Sequence, residues 1–143
     1  MKATVINEGP ERTYAVIFDQ GDEFMASMLS FSKEHGLSGS SFTAIGAFSD
    51  VTLAYFERDR KAYRKNPFHE QVEVLSLVGD IAMEGDEPKI HAHVLVGRAD
   101  STTRGGHIME AHVWPTLEVI VTESPRHLQR EYDEESGLAL IRV

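Results

Sequence analysis

Three histidines carry the most distinctive chemistry in the sequence. His91 and His93 stand two apart in Lys89-Ile90-His91-Ala92-His93-Val94-Leu95-Val96, a stretch that reads as a strand, and side chains two apart on a strand share a face. Two imidazoles on one face can tilt toward a single cation. His107 follows Gly105 and Gly106. Glycines that accept positive φ would let a tight loop or bulge return the next strand beside the first, bringing a third imidazole within one chain or across a subunit contact. Three imidazoles with an open position are the donor set of catalytic zinc sites, and they also suit nickel, iron or cobalt. A His-x-His pair has a plainer reading as a polar stripe on a half-exposed strand. Residue types and spacing alone leave both readings standing.

The sequence contains no cysteine, so thiolate sites and disulfides are excluded and a metal must be held by imidazole, carboxylate or water. Glu110 and Glu118 are candidates for the outer-shell partner of a ligand histidine or for a general base. Glu118 is the better placed of the two, inside the apolar run Leu117 to Val121. Arg98 and Arg104, in the loop after the His-x-His strand, are candidates for holding an anionic substrate. His112 could replace His107, but its odd spacing assigns it to the opposite strand face unless a bulge intervenes. His35, His69 and His127 read as surface or helix-end residues. No phosphate-binding glycine loop and no Gly-x-Ser-x-Gly elbow is present, which removes kinase, dehydrogenase and serine-hydrolase readings.

The elements that must position these residues are mostly strands. Thr13 to Phe18, rich in β-branched and aromatic residues, predicts the first. Asp22 offers an N-cap, and Phe24, Met25, Met28, Leu29 and Phe31 recur at helical spacing until Gly36 ends the main helix. Phe42 to Phe48 and Val51 to Phe56 predict one long broken strand or two consecutive ones, bent near Gly46 and Asp50. A hairpin then leads to a strand from Val72 to Val78, ending at Gly79-Asp80 or running on through Ile81 and Met83. Lys89 to Gly97, Ile108 to His112 and Leu117 to Thr122 are read as further strands, with Arg98 to Gly106 a polar loop. Leu138, Leu140, Ile141 and Val143 around Asp133 to Gly137 predict a closing hairpin. The fold class is therefore α+β, a mostly antiparallel sheet with one main helix, in a single domain over residues 1–143.

With 23 acidic against 14 basic side chains and a formal charge of −9, the chain as a whole repels nucleic acid and anionic membrane. Any DNA contact must come from a local patch. Arg58, Arg60, Lys61, Arg64 and Lys65, with Tyr63 among them, form the one basic run that could grip phosphates and stack, and the alternative for such a run is a solvated hairpin loop. No continuous apolar stretch reads as a signal peptide or membrane span, so a soluble cytoplasmic protein is expected.

Pro88-Lys89-Ile90-His91-Ala92-His93, Gly105-Gly106-His107 and Pro115-Thr116-Leu117-Glu118 resemble, in order and spacing, the plants-and-prokaryotes-conserved (PPC) domain family. Ala44-Ile45-Gly46-Ala47 leading to Tyr55-Phe56, and Val72 to Gly79, which looks like the family's Glu-Ile-Leu-Ser-Leu segment, extend the resemblance over nearly the whole chain. It implies a compact α+β fold that assembles as a homotrimer, with the histidines near subunit boundaries and, in prokaryotic members, often a bound metal; on the imidazole donor set that metal is expected to be divalent, zinc foremost. Plant members join this domain to AT-hook segments with an Arg-Gly-Arg-Pro core, and this sequence has none. Two functions follow as expectations. One is a regulatory or assembly trimer that contacts DNA or a protein partner. The other is a metal-dependent enzyme or small-molecule binder using His91, His93 and His107.

Overall fold

The computed structural model describes residues 1–142, so Val143, expected in the closing hairpin, lies outside the described residues. Among the described residues, nine strands are joined in one sheet: β1 (Lys2–Asn7), β2 (Arg12–Phe18), β3 (Gly39–Glu57), β4 (Ala62–Phe68), β5 (Val72–Glu84), β6 (Glu87–Gly97), β7 (Thr103–Glu123), β8 (Gln129–Asp133) and β9 (Leu138–Arg142). One α-helix, α1 (Phe24–His35), packs against β6 and β7. The α+β class and the mainly antiparallel sheet follow the sequence reading. Among the described residues, only β5 and β8 pair in parallel.

Two strands are long enough to bend through the whole molecule. The N-terminal half of β3 pairs with the C-terminal half of β7, and the C-terminal half of β3 pairs with β4 and with the start of β7. Because β5 also pairs with β3 and β6, and β6 with β7, the ladder β3–β5–β6–β7 closes on itself. Phe24, Met28 and Phe31 of α1 cover the core formed by Phe18, Phe42, Phe48, Leu117 and Val121, all essentially excluded from solvent.

Several expectations are corrected. The cap of α1 is Glu23, whose carboxylate accepts from the Met25 and Ala26 amides and from the Ala111 amide of β7. Asp22 instead accepts from Asp19 N–H and pairs with the N-terminal amine. The longer side chain prevails because it reaches β7 as well as the helix. Gly36, at φ 62°, ends the helix as expected. The two strands read at 108–112 and 117–122 are one strand, β7. Its register, Gly46↔Leu117 then Phe48↔Val113, leaves Trp114 to Thr116 as extra residues opposite Ala47, a bulge that absorbs Pro115. The simple hairpin into β5 is interrupted by β4, which adds to the outer part of β3. The N-terminal strand β1 was not foreseen.

Candidate metal centre

β6 places His91 and His93 on one face, and register places His107 of β7 directly opposite His93. One ligand nitrogen from each of the three rings lies within 4.8 Å of the others. Ring centroids stand 5.0 Å (His91–His93), 5.2 Å (His91–His107) and 5.5 Å (His93–His107) apart. A tetrahedral ion with bonds of about 2.05 Å wants nitrogens about 3.3 Å apart, a contraction within reach of side-chain rotation. The paired glycines act differently from the expectation. Neither has positive φ. Both lie inside β7, and a Cβ on Gly106 would stand 2.9 Å from the Ala54 carbonyl oxygen. Their role is to let β7 sit close to β3 and β6.

His107 Nδ1 is buried without a hydrogen-bond partner, an arrangement that costs about 1–3 kcal/mol unless something compensates it. Burial first, then the neighbouring His91 and His93, push the His107 pKa down to about 4. Partial desolvation followed by His91 also lowers His93. Both rings therefore stay neutral at physiological pH with lone pairs available, which is the state a metal requires. An orphaned nitrogen, two neutral rings and convergent geometry fit a divalent cation.

Sequence reasoning missed the side chains behind this cluster. Asp80, opposite His91 in the β5–β6 register, brings Oδ2 to 3.4 Å from His91 Nδ1. Its other oxygen accepts from Arg130 Nη2, and Arg130 Nη1 donates to the Ala139 carbonyl at 3.0 Å. Burial alone would raise Asp80, but His91 and Arg130 together hold it below the ordinary carboxylate value. On the other side, the Tyr63 ring lies over His107, centroids 4.7 Å apart. The cross-strand register was the missing signal, since it pairs position 80 with position 91.

The remaining candidates are distributed elsewhere. Glu118 is exposed and stands opposite Ile17 and Ile45, lining a shallow groove with Val78 and Ile120. Glu110 is exposed opposite Thr52. Arg98 Nε donates to Glu70 at 2.8 Å, and Arg104 Nη1 donates to the Thr103 carbonyl at 2.8 Å. None of the four lines the cavity beside His91 and His107. A bulge between Ile108 and Glu110 returns His112 to the strand face of His107, but it lies outside the cluster and bonds Asp50 at 2.8 Å. In the basic run, Arg58, Arg60 and Arg64 gather around Tyr55 in one surface depression, where Glu57 pairs with Arg60 and Arg64 at 3.3 and 3.5 Å. Lys61 turns away to the Glu134 carbonyl, and Arg64 and Lys65, adjacent on β4, face opposite sides.

A strand-rich domain with a three-histidine cluster between β6 and β7 is the class that fold and site define. The chain belongs to the Plants and Prokaryotes Conserved (PCC) domain family, whose profile matches residues 6–125. Among solved structures it is similar to a plant- and prokaryote-conserved protein of Pyrococcus horikoshii, with 28% identity, 92% of each chain covered and a TM-score of 0.87. It is also similar to a Bacteroides thetaiotaomicron protein provisionally described as DNA-binding, with 27% identity, 98% of this chain and 96% of that one covered, and a TM-score of 0.88. A metal-containing protein of Archaeoglobus fulgidus shares 30% identity over 99% of this chain and 97% of its own, with a TM-score of 0.85. No curated protein matches the chain.

Proposed function

We propose that this protein is a metal-centred trimer, in which His91, His93 and His107 bind one divalent ion, zinc foremost, per chain. The observation that carries the reading is the convergence of three imidazoles, one nitrogen from each within 4.8 Å of the others, and beside it stands the buried, unpartnered Nδ1 of His107. The metal-containing relative from Archaeoglobus fulgidus supports it. Asp80 and Arg130 serve as the outer support for His91, in place of Glu110 or Glu118. Trimer formation is supported by an apolar patch on the outer sheet face, where Ile45 and Val78 are 60% and 52% exposed. When zinc is titrated calorimetrically into metal-free protein, about one ion per chain should bind, and His107→Ala should weaken binding at least about a hundredfold. Unchanged affinity in that variant would sink the reading.

A second reading, DNA contact by the Arg58–Arg64 cluster, draws on the relative provisionally described as DNA-binding and on the cation–π contact of Arg64 with the exposed Tyr55 ring, 5.8 Å to the centroid. Assembly would repeat the cluster around the symmetry axis, offsetting part of the repulsion from a chain of charge −9. Duplex binding that weakens steeply with salt and is lost in Arg60→Glu supports it. Salt-insensitive binding, or binding that survives the charge reversal, removes it.

A further inference from the structure

The histidine cluster opens onto a cavity of about 370 Å³, lined by His91, His107, Tyr63, Lys89, Leu138 and Leu140 among others. Its far wall is the β8–β9 hairpin. That hairpin lies beyond residues 6–125, the span matched by the family profile, so the wall that sets what fits here comes from the segment outside it.

The charges around the cavity decide what should occupy it. The charge of Arg130 is balanced by Asp80, with Nη2 on that carboxylate and Nη1 on the Ala139 carbonyl, while its buried Nε has no hydrogen-bond partner. Lys89 is matched by Glu84 at 3.6 Å. Three neutral imidazoles would leave the charge of a divalent ion uncompensated, so a loaded site presents about two positive charges to a cavity with largely apolar walls. A three-histidine centre retains an open coordination position. The group that satisfies both ion and walls is an anion carried on an apolar body.

We propose that this cavity binds a small organic carboxylate, with one carboxylate oxygen filling the open position of the ion and the hydrocarbon part lying between Tyr63 and Leu138–Leu140. The proposal rests on the metal reading above. It explains why apolar side chains of the hairpin face a cluster of imidazoles. It also assigns anion recognition to the ion itself, with Lys89 at the cavity's edge, whereas Arg98 and Arg104 are engaged elsewhere.

Benzoate, its neutral counterpart benzamide and inorganic phosphate are the probes, titrated calorimetrically into zinc-loaded and metal-free protein after zinc stoichiometry has been measured on each sample. Benzoate should bind the loaded protein saturably, and on the order of tenfold or more weaker binding is expected for metal-free protein, benzamide and phosphate. Leu140→Glu should weaken benzoate to a similar degree, while Leu140→Lys, equally polar but opposite in charge, should retain it; zinc loading should be unchanged in both. Equal benzoate affinity with and without zinc, equal effects of the Glu and Lys substitutions, or phosphate binding as tightly as benzoate would each overturn the proposal while leaving the metal centre standing. Failure of the protein to load zinc at all would overturn both.

Discussion

His107 owes its character to the place where β7 carries it: half-buried, stacked under Tyr63, and facing two other imidazoles that oppose its protonation. The three ligand candidates were legible in the sequence because a strand period of two fixes the common face of His91 and His93 without knowledge of the fold. Asp80 was not legible. It lies 11 residues before His91, and its partner Arg130 50 residues beyond it, and only the β5–β6 register and the late β5–β8 pairing bring the three together. Its separation of 3.4 Å from His91 Nδ1 is longer than a well-formed hydrogen bond, and ligation is expected to tighten it. Asp80→Asn keeps the shape but removes the charge that orients the ring, so zinc affinity should fall about 10- to 100-fold with the circular dichroism spectrum unchanged. Competition against a chelating dye reads the affinity, and a variant as tight as the wild type would remove Asp80 from the site.

At the level of elements, the two long strands are what make the site possible. β7 was divided in the sequence reading because Pro115 and the Gly105–Gly106 pair are strong local breakers, and local propensity carries no information about a ladder able to absorb both. In the folded chain Pro115 sits in a bulge, and Gly106 fits a gap too narrow for a side chain, with the Ala54 oxygen in the way of any Cβ. Similarly, Asp22 looked like the cap of α1 because it has a favoured residue type, while Glu23 prevails through a tertiary bond to the Ala111 amide. Gly106→Ala should force β3 and β7 apart beside His107, lowering unfolding free energy by about 1–3 kcal/mol and weakening zinc binding in parallel. Urea denaturation followed by fluorescence tests it, and an unaffected midpoint would show that the strands yield without cost.

For the molecule as a whole, the sequence conveyed class and helix well, since hydrophobic period and Gly36 are local signals. It conveyed the closure of β3, β5, β6 and β7 poorly, because closure is a property of long-range register. The outer face of this sheet shows a cluster of exposed aliphatic side chains, Ile17, Ile45, Leu75, Val78 and Ile120, around a shallow groove. Such a patch is costly to leave in water, and trimer formation would cover it. Light scattering should give three times the 16.0 kDa chain mass, and Val78→Lys should reduce it to that of one chain. A monomeric wild-type protein would refute the assembly.

The central claim, that three imidazoles hold one ion, is tested most directly by X-ray absorption at the zinc edge on protein loaded with one equivalent of zinc. The account predicts three imidazole nitrogens at about 2.0 Å with their outer-ring scattering, plus one oxygen donor without it, and a shell reduced by one imidazole in His107→Ala. A shell of oxygen donors alone, or one unchanged in His107→Ala, would contradict it.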